Sequence, residues 1–128
     1  MSYYLRDIIE LRKDFAEAYK TKRYADAIEY GNKIIDIYKE NNDCDSEAYA
    51  DDINNLAILY DEVRINEKAI ELYKEAAELK EDLLGDDSES YLETIENLGI
   101  LYSVTGSFDK AEELLKRVKN HTEEADGP

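Results

Sequence analysis

Two stretches of the chain carry one pattern at a fixed offset of 42 positions: Ile53, Leu56, Ala57, Tyr60, Ala69 and Tyr73 align with Ile95, Leu98, Gly99, Tyr102, Ala111 and Leu115. A fixed-period repeat constrains a fold more than local propensity does, because each unit buries its apolar face on its neighbours. The surface offered by such a chain is an extended groove, not a compact catalytic pocket. Within each copy the apolar residues recur at helical spacing, which predicts six helices at about 3–21, 24–40, 46–63, 66–84, 89–105 and 108–122, joined as three antiparallel pairs.

A weaker third copy lies upstream. Tyr24-x2-Ala27-Ile28 matches Phe108-x2-Ala111, whereas Asp14 and Phe15 stand where the second copy has Leu56 and Ala57. An end repeat has one neighbour instead of two, so relaxed packing positions are expected there. The chain therefore reads as a single all-α domain over 1–128 with repeats at about 3–42, 45–84 and 87–124. Ser46 and Ser88, also 42 apart, have the chemistry of helix N-caps, each followed by a Glu that the helix dipole favours. Gly85 is suited to the left-handed conformation that ends a helix, and Lys22-Arg23 and Gly106-Ser107 supply the short turns inside the pairs.

Composition narrows the function classes. The 32 acidic residues against 16 basic ones give a formal net charge of −16, which repels phosphate backbones and anionic lipid headgroups and argues against nucleic acid or membrane as partners. No apolar run approaches the roughly 18 residues of a membrane span, and Met1-Ser2-Tyr3-Tyr4-Leu5-Arg6-Asp7 lacks a signal-peptide pattern, so the expected location is the cytoplasm. Cys44 is the single cysteine, which fits a reducing compartment.

Catalytic and metal chemistry find little support. An EF-hand loop starting at Asp43 would need Gly at its sixth position and Glu at its twelfth, and these hold Ala48 and Asn54. His121 is the only histidine. Cys44 sits between Asp43 and Asp45, whose charge disfavours a thiolate. The five glycines are scattered and form no phosphate loop. No metal, cofactor or catalytic residue is expected.

The spacing of an aliphatic residue, x2, Leu, Gly or Ala, x2, Tyr and then Ala-x3-Tyr or Ala-x3-Leu resembles the tetratricopeptide repeat. Asn54-Asn55-Leu56-Ala57-x-Leu59-Tyr60 and Leu83-Leu84-Gly85-Asp86-Asp87 are similar to the 42-residue repeats of kinesin light chains. Ile replaces the usual Trp at the first position of the pattern, and the Pro that commonly ends the unit is absent. The resemblance implies a right-handed superhelix of three helix pairs, in which the first helix of each pair lines the concave face. The groove stripe beside the core stripe is then Asp51, Asn54, Ile58 and Asp61 in the second repeat. Its equivalents are Glu93, Glu96, Ile100 and Ser103 in the third, and Ile9, Arg12, Ala16 and Tyr19 in the first.

Asn55 and Asn97 sit one step over, and for them two readings stand together: an amide that bonds the main chain of a bound peptide, as the resemblance implies, or an interhelical hydrogen bond that fixes repeat packing. The carboxylate clamp of chaperone-binding relatives does not carry over. Arg12 and Asn55 hold clamp-like positions, but Ala16 and Glu93 replace an Asn and a Lys, and Glu93 would repel a carboxylate. The acidic cargo peptides of kinesin light chains meet the same obstacle.

These observations predict a non-catalytic protein-interaction module whose partner is a peptide or helix with basic residues and apolar anchors. The alternative is a sensor or dimerisation segment of a larger signalling protein or enzyme, and the two differ in whether the natural chain continues past Pro128. The apolar seam of the last helix fades after Val118, leaving Leu115 and Val118 without a following helix. Such a face seeks either the next repeat of a longer protein or a second copy of the chain, and a two-fold homodimer through that helix is the expectation.

Overall fold

A computed structural model describes residues 3–125, with side chains described over 4–122. Six helices follow one another: α1 (Tyr3–Lys20), α2 (Tyr24–Glu40), α3 (Glu47–Glu62), α4 (Asn66–Leu84), α5 (Glu89–Val104) and α6 (Phe108–Ala125). Each packs on the next in the chain, and α3 also touches α5, so the layers stack as an all-α helical solenoid.

The helix ends follow from specific residues. Ser46 Oγ accepts from the Tyr49 N–H at 3.1 Å and Ser88 Oγ from the Tyr91 N–H at 3.2 Å, satisfying donors that the first turns of α3 and α5 would otherwise leave unpaired. Gly85 closes α4 at φ +92°. The turns inside the three pairs repeat a single device: Lys22, Arg64 and Gly106, spaced by 42, all adopt positive φ, at 61°, 65° and 89°. One residue in the left-handed region reverses the chain in each unit, and only the third copy uses the residue that adopts it without strain.

The core is built where the repeat places it. Ile53, Leu56 and Ala57 are buried in α3, as are Ile95 and Leu98 in α5 and the alanines Ala27, Ala69 and Ala111 of the second helices. Those alanines let the paired helices approach closely. Gly31 serves the same end in α2, since an added Cβ would lie 2.8 Å from Leu56 Cδ1, and Gly99 does so in α5, where a Cβ would lie 2.9 Å from Leu115. Tyr38 and Tyr49 pack edge to face at 5.2 Å between ring centroids, joining α2 to α3. Asp14, which replaces the core leucine in the first unit, is exposed on α1, on a face that no helix among the described residues covers.

Among the described residues no helix is long and apolar enough to cross a membrane. Nor does any group of three His, Cys, Asp or Glu side chains among them converge on a metal position.

Candidate functional site

A cavity of about 430 Å³ opens between α1 and α3, with α2 as its floor. Arg12, Phe15, Ala16 and Tyr19 come from α1, Gly31 and Ile34 from α2, and Asp52, Asn55 and Ile58 from α3. Small residues create the space. One repeat on, Tyr73 stands in the place of Gly31 and Ile58 in the place of Ala16, and Tyr73 is buried with its hydroxyl donating to Asp61 at 3.2 Å. The space that Gly31 and Ala16 leave open between the first two repeats is thus occupied by larger side chains one repeat on.

The polar rim is preorganised. Arg12 Nε donates to Asp52 Oδ1 at 2.9 Å and Arg12 Nη2 to Asp52 Oδ2 at 2.6 Å, a two-pronged ion pair across the repeat boundary. Tyr38 accepts from Arg12 Nη2 at 2.8 Å and donates to Asp52 Oδ2 at 2.8 Å. The hydrogen bond to Asp52 raises the Arg12 pKa, so the guanidinium stays charged. Burial, then the carboxylate of Asp52, pushes the Tyr38 phenol well above its ordinary value and keeps it neutral. Asp52 was not among the residues expected in the groove, because its role depends on a partner 40 positions away.

At the other end of the cavity Tyr19 donates to Glu62 Oε2 at 2.5 Å, and this bond, followed by burial, raises the tyrosine to a pKa of about 12. Glu62 also accepts from Tyr24 at 3.4 Å. Asn55 is exposed, and its side-chain amide makes no hydrogen bond among the described residues, so the interhelical bond weighed for it is not formed. Asn97 is half-buried and likewise makes none. An amide with donors and acceptor unengaged beside an apolar recess can pair with a peptide main chain.

The expected stripe divides in the structure. Arg12, Ala16, Tyr19, Asn55 and Ile58 meet in the one cavity. Asp51 and Asn54 instead face the boundary with the next repeat: Asp51 lies 3.5 Å from Lys80 Nζ, and Asn54 Oδ1 accepts from Thr94 at 3.0 Å. Lys80 is 4% exposed and donates to the Thr94 hydroxyl at 3.1 Å. Asp61 is held by Tyr73. Ile100 is half exposed. Glu93 and Glu96 open onto a separate cavity of about 360 Å³ at the end of the solenoid, with Val118 and Thr122 of α6. The stripe itself is one face, since Asn54 and Ile58 are one turn apart; what differs is the neighbour, with Lys80 and Thr94 engaging its first half while Ile58, further along α3, reaches the recess. Leu115 packs over Gly99, and Val118 packs against the buried cluster of Tyr91, Leu92 and Ile95, leaving both half-buried.

Comparison with known proteins agrees with this fold. A family model of the tetratricopeptide repeat matches residues 11–81 and again 64–124. No curated protein matches the chain. Among solved structures it is similar to BtubC (BKLC) from P. vanneervenii, at 29% identity and a TM-score of 0.78 over 81% of this chain and 41% of that one. It is also similar to the nearly identical TPR-like repeats of a Podosopora anserina protein described as a kinesin light chain, at 19% identity and a TM-score of 0.78 over 92% of this chain and 56% of that one. The N-terminal domain of stress-induced protein-1 from C. elegans aligns at 18% identity and a TM-score of 0.70, covering 96% of this chain and all of that one. The chain spans about two fifths of BtubC and just over half of the Podosopora protein. With the family model covering most of its length and its fold that of kinesin-light-chain-like repeats, the chain belongs to the tetratricopeptide repeat family, whose helical solenoids serve as protein-interaction scaffolds.

Proposed function

We propose that this chain is a non-catalytic interaction module, working in a reducing cytoplasmic setting, that receives a peptide or helix of a partner protein along its concave face. The observation that carries the reading is the recess between α1 and α3. An apolar lining of Phe15, Ala16, Ile34 and Ile58 lies beside the unengaged Asn55 amide, while Arg12 is neutralised by Asp52. An apolar side chain of the partner fills the recess and its main chain meets Asn55. The net charge of −16 selects a partner with basic residues, because the summed field draws cations toward the surface and slows the approach of acidic peptides.

A peptide array varying charge and apolar content, followed by titration of the best binder, tests the reading. Ala16→Phe fills the recess from an exposed position, so it is expected to weaken binding about tenfold or more while leaving the fold intact, with Asn55→Ala weakening it less. Binding should also fall as salt rises, since charge attraction between exposed groups is screened over about 10 Å at 0.1 M. Affinity unchanged by both substitutions, or a preference for acidic peptides, sinks the proposal.

A further inference from the structure

The boundaries between repeats carry one polar junction in two copies. In the first, Arg12 of α1 and Tyr38 of α2 meet Asp52 of α3. In the second every position is advanced by 42: Asn54 of α3 and Lys80 of α4 meet Thr94 of α5. Each junction thus takes two side chains from one repeat and a third from the first helix of the next. The third answers the first two chemically, as a carboxylate for a guanidinium or a hydroxyl between an amide and an ammonium.

A further step of 42 gives Glu96 of α5 and Thr122 of α6 as the first two members of a third junction. They line the end cavity together with Leu92, Glu93, Val118 and His121. Glu96 makes no hydrogen bond or ion pair among the described residues and is exposed. The apolar seat beside it is also incomplete. Ile34 and Ala76, which hold the position of Val118 in the earlier repeats, are buried, whereas Val118 is half-buried.

We propose that this end face of α5 and α6 docks an amphipathic helix of a partner protein, with a basic side chain placed opposite Glu96 where Asp52 and Thr94 stand in the earlier junctions. Leu56, four residues after Asp52, sits over Gly31 of α2, so the partner carries an apolar residue four positions after the basic one, seated over Leu115. Charge argues against a second copy of the chain as the occupant. The matching surface of α1 presents Asp7, Glu10 and Asp14, so head-to-tail stacking sets Glu10 against Glu96. Two-fold pairing of the end face brings Glu93 and Glu96 toward their own copies. This surface is distinct from the groove, and the inference does not depend on the groove's function.

The test uses the full chain, isotope-labelled for NMR, and two peptides with the sequence of α5 held helical by an outward-facing lactam, one with Thr94→Arg and the other with Thr94→Glu. The arginine peptide is expected to bind about tenfold tighter than the glutamate peptide, shifting the amide signals of Leu92, Glu96, Val118 and Thr122, and Glu96→Arg in the full chain is expected to reverse that preference. Equal affinity for the two peptides, no binding by either, or shifts confined to Ala16, Asn55 and Ile58 overturns the proposal. So does a preference that survives Glu96→Arg. Sedimentation equilibrium tests a second copy as the occupant: a concentration-dependent dimer abolished by Val118→Glu assigns the face to it and also overturns the proposal.

Discussion

At the scale of single residues, small side chains decide both the packing and the recess. Ala27, Ala69 and Ala111 are buried at the same place in each unit, where the two helices of a pair cross. Ala25, two positions before the first of them, is exposed. Ala69→Leu forces extra atoms between α3 and α4 and is expected to cost about 1–3 kcal/mol, whereas Ala25→Leu meets solvent and should change stability little. Urea unfolding of the two variants measures the contrast, and equal losses would mean that the packing register is wrong. The alanine register was legible because it recurs at 42. Gly31 was not, because its counterpart Tyr73 is large and the comparison between copies hides a residue whose significance is its difference. Asp52 escaped for a related reason: a carboxylate on a chain with 32 acids carries no signal until its guanidinium partner across the repeat boundary is located.

At the scale of elements, helix starts and ends were set by local chemistry that sequence displays openly. The Ser46 and Ser88 caps form, and the expected bounds hold to within one or two residues except that α6 runs on to Ala125, through Glu and Ala residues that favour helix. Sidedness was less legible. Periodicity identifies the stripes but not the neighbours each position meets: Asp51 and Asn54 engage Lys80 and Thr94, while Ile58, one turn on from Asn54, lines the recess with Asn55. The turns offer a direct test of how an element is reversed. A Cβ at Gly106 would meet nothing within 4 Å, so Gly106→Ala isolates the cost of holding an L-residue at φ 89°, about 1 kcal/mol by general experience of left-handed residues. Arg64→Gly, at the equivalent turn, relieves that strain but adds freedom to the unfolded chain, and the two effects should nearly cancel. A loss for Arg64→Gly as large as that for Gly106→Ala, read from the urea midpoints, would show that Arg64 contributes through contacts instead.

At the scale of the whole molecule, tyrosines stitch the layers together through carboxylates, and this makes the alkaline limit of stability a property of the solenoid. Tyr38 joins α2 to Asp52 of α3, Tyr49 of α3 donates to Glu75 of α4 at 2.6 Å, and Tyr73 of α4 reaches back to Asp61 of α3. In each, burial first and the neighbouring carboxylate next raise the phenol above the ordinary value of 10. Below pH 10 both folded and unfolded chains keep these protons, so the three groups add no pH dependence there. Between pH 10 and the raised values the unfolded chain releases protons that the folded chain retains, and stability falls as pH rises. Thermal unfolding followed from pH 8 to pH 11.5 should therefore show a level melting temperature that drops steeply above about pH 10. Tyr49→Phe removes one of the retained protons, so its decline should be shallower than that of the parent chain, even though the lost bond to Glu75 lowers its melting temperature at pH 8. An alkaline slope identical in the two proteins would mean that the phenol of Tyr49 titrates in the fold as it does in the open chain.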